Sequence, residues 1–130
     1  VSNQVSYPVV ETKSFSFPAS KVQEQIITTR VVGVTFENRQ EVIARLQIGD
    51  LIWLEREPDN RYDSNAIKVS MNNGEQIGYL NRYLAASIAP HLDRYGEPAR
   101  GEISLLTGSS WDNYSLGVII SFRVPGLQDD

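Results

Sequence analysis

Residues 56–69 read Arg56-Glu57-Pro58-Asp59-Asn60-Arg61-Tyr62-Asp63-Ser64-Asn65-Ala66-Ile67-Lys68-Val69. Two kinds of local chemistry meet in this stretch. Pro58, Asp59 and Asn60 are turn formers, and Asp63 and Asn65 can accept hydrogen bonds from nearby backbone N–H groups as Asx motifs. From Ala66 onward the chain alternates apolar and polar residues with period two, which predicts a strand. A loop dense in polar groups therefore ends in a strand with one buried face. Read by local physics alone, the loop holds itself together; the other reading is that Tyr62 and the charges around it meet a ligand.

The flanking sequence extends the β pattern in both directions. Upstream, Leu51-Ile52-Trp53-Leu54 predicts a strand after the Gly49-Asp50 turn, with Trp53 expected in the core. Downstream, the strand 66–71 meets Asn72-Asn73-Gly74, a strong hairpin signal because Asn and Gly tolerate positive φ. Gln76-Ile77-Gly78-Tyr79-Leu80 is its return strand. Further out, the β-branched run Ile26 to Val34 predicts another strand. Glu37 to Leu46 has helical spacing, with Val42, Ile43 and Leu46 on one side and Asn38 as the expected N-cap. A second helix is expected over 81–95, capped by Asn81 and stopped by Gly96, with Pro90 inside it. Its expected packing stripe is Tyr83, Leu84, Ile88, Leu92 and Tyr95. Glu102 to Thr107 and Tyr114 to Val124 predict a final strand pair. In the loop between them, Trp111 is either a ligand platform or a loop anchor. Short strands, tight turns and few helices predict a mainly β fold with added short helices, a small OB-like β-barrel.

The 130 residues suit one domain, expected over 26–125. Residues 1–25 read as an N-terminal extension or edge strand, and 126–130 as a polar tail. The chain opens on Val1 rather than Met, as a fragment of a longer protein would, and shows no basic-apolar signal pattern. No cysteine is present, so thiolate catalysis, thiolate metal sites and disulfides are excluded. No apolar run reaches the roughly 18 residues of a membrane helix. The net charge of −4 argues against a broad electrostatic grip on duplex DNA, whose phosphates supply most of such affinity. It leaves room for a small site that stacks a few nucleotides.

Catalysis finds little support. His91 is the sole histidine, and no Gly-x-Ser-x-Gly elbow, phosphate loop or dinucleotide fingerprint is present. Metal nucleases commonly place an acid two residues before a strand lysine, but Ala66 holds that place before Lys68. Glu11-Thr12-Lys13 has the spacing without an upstream aspartate. Glu55, Glu57 and Asp59 alternate and read as a solvated strand face.

The string 56–69 resembles the hallmark of the HIRAN domain, in which an Arg-acid-Pro loop leads through Tyr-Asp into Asn-Ala-Ile-x-Val. Val32-Gly33, Ile77-Gly78-Tyr79-Leu80 and Leu84-Ala85 also fit that family, and the resemblance covers about residues 28–124. It implies an OB-like barrel that binds single-stranded DNA ends without catalysis, with the 3′ hydroxyl end as the expected ligand. It implies a targeting module for DNA repair or processing, fused to or associated with a helicase or nuclease, with no cofactor, metal or membrane partner. The implied setting is cytoplasmic and nucleoid-associated in a bacterium, or nuclear in a eukaryote. The alternative is a protein-interaction or assembly module on the same fold.

Carried over by position, the resemblance implies that Tyr62 packs against the terminal nucleotide and that Asp63 accepts a hydrogen bond from its 3′ hydroxyl. Phe36 lines the base pocket, Asn60 supplies a polar contact, and Arg82 meets phosphate. Tyr79 stands where a eukaryotic member has a histidine near the phosphates, and Tyr114 falls near a further aromatic position. Two more departures are Thr35, in place of an arginine that grips DNA, and Arg61, in place of the hallmark's second proline.

Overall fold

The computed structural model describes residues 24–108 and 115–125. Residues 1–23 of the expected extension or edge strand, the expected tail 126–130, and both Trp111 and Tyr114 lie outside these residues. The elements are β1 (Glu24–Arg30), α1 (Arg39–Ile43), β2 (Leu51–Arg56), β3 (Ile67–Met71), β4 (Gln76–Tyr79), α2 (Arg82–Tyr95), β5 (Arg100–Thr107) and β6 (Gly117–Pro125).

The six strands form one antiparallel sheet in the order β1-β6-β5-β2-β3-β4. Alternation drives its curl inward. Ile52, Ile67, Ile77, Ile103 and Ile120, one from each of five strands, are all fully buried. Their immediate neighbours Leu51, Lys68, Gln76 and Ile119 face outward to varying degrees. Register shifts at Val69/Ser70 and at Ile103/Leu105 add the bend and twist that bulges bring.

The curl ends by meeting itself. Beyond β1, the Val31 N–H donates to Val118 O at 2.9 Å, and Val32 exchanges two 2.9 Å backbone bonds with Tyr79. The segment just past the first strand thus bridges β6 and β4, the far edge of the sheet. Gly78 makes this approach possible: a Cβ there would lie 2.4 Å from Val32 O. The fold is the mainly β, curled small barrel with two short helices that the alternation predicts.

α2 begins as expected. The Asn81 side chain accepts from Leu84 N, and Gly96 closes the helix in the left-handed conformation, its N–H bonded to Leu92 O. Ala85, Ile88, Ala89 and Leu92 form its buried face. Tyr83 and Tyr95 do not pack: they are 81% and 62% exposed. The expected stripe extends too far around the helix, since the small Ala85 and Ala89 do the packing. His91 is half-buried, its Nε2 3.0 Å from Pro125 O. No described helix is long and apolar enough to cross a membrane.

α1 is shorter than its spacing predicts, and Asn38 makes no side-chain cap. Val42 and Ile43 still anchor it in the core. Trp53 is half-buried rather than core, because Ile52 and Leu54 take the inward positions of β2. Its Nε1 donates to Asn72 Oδ1 at 3.0 Å, and Arg100 sits 5.8 Å from the ring centroid.

Candidate nucleic-acid interface

The loop 57–66 is built from its own polar groups. Glu57 N–H donates to Ala66 O at 3.0 Å, which closes the loop's base, and Asn60 N–H donates to Glu57 O at 3.0 Å. Arg56 fixes the base to α2, donating to both carboxylate oxygens of Asp93 and, at 3.0 Å, to Ala66 O. Asn60 is the internal brace. Its Oδ1 accepts from the N–H groups of Tyr62 (2.9 Å) and Asp63 (3.1 Å), and its Nδ2 donates to Glu57 Oε1 at 3.0 Å. Most of its amide capacity is thereby spent on shaping the loop.

Tyr62 is left on the outside, 85% exposed, with the Arg61 guanidinium 5.6 Å from its ring centroid. Asp63 is half-buried. Its Oδ1 accepts from Asn65 N–H at 2.9 Å, while among the described residues Oδ2 accepts none. One carboxylate oxygen is therefore committed to its own loop, and one is left.

Tyr79 joins this loop to the rest of the site. It lies opposite Lys68, which lies opposite Glu55, so one outward row crosses β4, β3 and β2. The Tyr79 hydroxyl donates to Glu57 Oε1 at 2.8 Å, and Lys68 Nζ reaches Glu55 at 3.3 Å and Glu57 at 4.0 Å. Glu57 is thus not the solvated strand acid that its alternation with Glu55 suggests. Burial pushes its carboxyl up, but hydrogen bonds from Asn60 and Tyr79, helped by the charges of Lys68 and Arg39, outweigh that and hold it below the ordinary glutamate range. Burial, with the bond to Glu57 added, pushes the Tyr79 phenol above its ordinary value.

Gly33 brings the other half of the site in. At φ 72° it turns the chain out of the Val32–Tyr79 bridge, and a Cβ there would have Arg39 at 3.2 Å, the Phe36 ring at 3.8 Å and the Tyr79 ring at 4.0 Å. Phe36 is 64% exposed beside it. A connected series runs from Phe36, whose O accepts from Arg39 N–H at 3.2 Å, through the Arg39 guanidinium, 5.5 Å from the Tyr79 ring centroid, to Tyr79, Glu57, Asn60 and the backbone of Tyr62 and Asp63. Arg82 is exposed at the start of α2, three residues beyond Tyr79, with no contact tying it to the series.

Besides Glu57, Arg39 and Gln40 are site residues for which the sequence predicts no role. Gln40 Nε2 donates to Val34 O (2.9 Å) and Leu116 O (3.0 Å), and its Oε1 accepts from Leu116 N–H (2.8 Å). It therefore joins the Phe36 loop to the start of β6. Arg39 had a readable signal: it sits three and four residues before Val42 and Ile43, on the buried face of α1. Among the described residues, no group of three or more His, Cys, Asp or Glu is placed to hold a metal ion. A separate groove of about 800 Å³, lined by Ile26, Leu51, Trp53, Pro98 and Arg100 among others, contains none of the expected contact residues.

The family model for the HIRAN domain matches residues 25–116. This chain belongs to the HIRAN family. The crystal structure of the HIRAN domain of human HLTF superposes with a TM-score of 0.57 at 26% identity, covering 75% of this chain and 74% of that one. A crystal structure of a Lactobacillus plantarum protein gives 0.61 at 25% identity, covering 78% and 97%. Among sequence relatives, the rabbit helicase-like transcription factor is 52% identical over 44 residues, 34% of this chain and 4% of its own. The Arabidopsis thaliana Fanconi-associated nuclease 1 homolog is 33% identical over 95 residues, 73% of this chain and 10% of its own. This HIRAN chain thus spans a tenth or less of the length of either of these relatives.

Proposed function

We propose that this HIRAN domain binds the free 3′ end of single-stranded DNA without catalysing a reaction on it, and so directs a helicase or nuclease partner to DNA ends. The observation that carries the reading is that two exposed rings, Tyr62 and Phe36, sit at opposite ends of one series of contacts, through Arg39, Tyr79, Glu57 and Asn60, that also holds the Asp63 backbone. Exposed rings on a rigid support suit base stacking, which accepts any base. Asp63 keeps one carboxylate oxygen available. A carboxylate accepts from a hydroxyl and repels a phosphate, so it favours a strand that stops at a 3′ hydroxyl. The names of the relatives, a helicase-like transcription factor and a nuclease homolog, support a DNA setting.

Fluorescence anisotropy with short strands ending in 3′ hydroxyl or 3′ phosphate tests the reading. The hydroxyl strand should bind more tightly, and Asp63→Asn should erase the difference. Equal binding of the two strands by the native domain would remove end recognition. No binding of either would leave the protein-interaction alternative in its place.

A further inference from the structure

Among the described residues, Arg39 is the only charged residue that is buried, at 6% exposure. A guanidinium carries five N–H donors, and buried ones normally find acceptors. Here NH1 donates to Gly33 O at 2.7 Å, and Nε is buried with no partner. NH2 reaches Glu37 Oε1 only at 3.5 Å, the outer limit of a hydrogen bond. The face of the group lies 5.5 Å from the centroid of Tyr79, and Phe36 is the neighbouring ring. A cation kept for architecture alone would be expected to hold a buried carboxylate. The acid that Arg39 holds is instead an exposed side chain, 70% accessible, on a residue whose own φ is +58°.

We propose that Arg39 reads a backbone phosphate beside Phe36 and Tyr79, and that Glu37 is the placeholder which covers it in the free protein. The proposal rests on the strand-binding reading and adds its phosphate contact. A phosphodiester of a strand stacked on Phe36 displaces the Glu37 carboxylate from NH2 and forms the shorter, charge-assisted bond that guanidinium and phosphate favour. The displaced acid returns to water, where its exposure already places it. Arg39 itself need not move, because Gly33 O and the Tyr79 ring hold it.

The test compares the native domain with Glu37→Gln and with Glu41→Gln, which removes an exposed acid of α1 that does not pair with Arg39. Anisotropy is measured with a short thymidine strand ending in 3′ hydroxyl over a salt series. In parallel, the Arg39 Nε–H resonance is followed by nitrogen-15 NMR with that strand and with inorganic phosphate. Glu37→Gln should tighten strand binding about three- to fivefold, the scale of losing one exposed competing ion pair. Its logarithmic salt dependence should steepen, by less than the roughly 0.7 of one phosphate contact, because salt no longer helps by loosening an internal ion pair. Glu41→Gln should do neither, and the Arg39 resonance should shift on binding.

If the native domain binds the strand and Glu37→Gln gains no more than Glu41→Gln, the Arg39 proposal falls and the strand reading stands. If no strand binds but inorganic phosphate moves Arg39 in Glu37→Gln, the anion site stands and the strand reading falls. If neither probe moves Arg39 in any form, the proposal is overturned. Arg39→Lys keeps the charge and loses the planar fork. Where it folds, it should bind the strand more weakly than the native domain, and equal binding counts against the proposal.

Discussion

Tyr62 and Phe36 are exposed aromatic side chains on a β-rich surface whose interior is almost wholly aliphatic. Neither ring supports the core, so removing either should cost little stability. Removing a stacking platform costs roughly 1–3 kcal/mol per base. Tyr62→Ala and Phe36→Ala should each weaken strand binding about 5- to 150-fold. Thermal unfolding should stay near that of the native domain, and a mutant that unfolds early would mean its ring braces the loop instead. Glu57 makes the opposite prediction, because it bonds within the fold. Its folded carboxyl is depressed below the ordinary 4.5, so its contribution to stability is complete above that pH and is lost as pH falls through the lower folded value. Glu57→Gln should therefore be less stable than the native domain at neutral pH. The gap between the two should narrow as urea midpoints are followed below about pH 4.5. A gap that stays constant through that range would show that the Asn60 and Tyr79 bonds do not depend on the charge.

The Val32–Tyr79 bridge connects elements to the site, since the same Tyr79 that closes the curl also bonds Glu57. Gly78→Ala places a methyl 2.4 Å from Val32 O and 2.5 Å from Val31 Cγ1, and neither the backbone nor the buried valine has room to yield. Overpacking of this kind costs about 1–3 kcal/mol. The variant should lose that much in chemical denaturation and should bind the strand less well, although residue 78 touches no proposed ligand. Unchanged binding in a destabilised variant would separate the closure from the site. The same elements show what local pattern reveals. Strand alternation, the Asn72-Asn73-Gly74 turn, the Asn81 cap and the Gly96 stop are short-range signals, and each marks its element to within a few residues. The site is harder to read because its bonds are not local. Tyr79 and Glu57 are 22 residues apart, and Gln40 and Leu116 are 76 apart. No spacing rule joins such pairs, so Glu57 reads as a solvated acid and Gln40 carries no signal of its role. The hallmark loop was legible as a unit, yet its hydrogen bonds divide it into residues that build the loop, such as Asn60, and residues it leaves outward, such as Tyr62.

At the scale of the whole molecule, a net charge of −4 and a stacking site imply a particular mode of binding. A protein that holds nucleic acid by neutralising many phosphates loses affinity steeply as salt rises, with a slope of about 0.7 per phosphate on single strands. The cations available here are few. Arg82 is exposed at the head of α2, Arg61 lies against Tyr62, and Arg39 is covered by Glu37. Acidic residues outnumber basic ones, 16 to 12, so strand segments far from the end meet net repulsion rather than a continuing positive track. Lengthening a strand beyond the few nucleotides that reach the rings should therefore add little affinity. The slope of log affinity against log salt should stay near 1–2, well below that of a domain making six or more phosphate contacts. A titration over 50–300 mM salt with strands of increasing length would check both. An affinity that grows steadily with length, together with a slope of about 4 or more, would mean that the strand runs along a surface beyond the Phe36 and Tyr62 rings. In that case the exposed rings would not be what selects the end, because a ligand held all along its backbone has no need of its terminus.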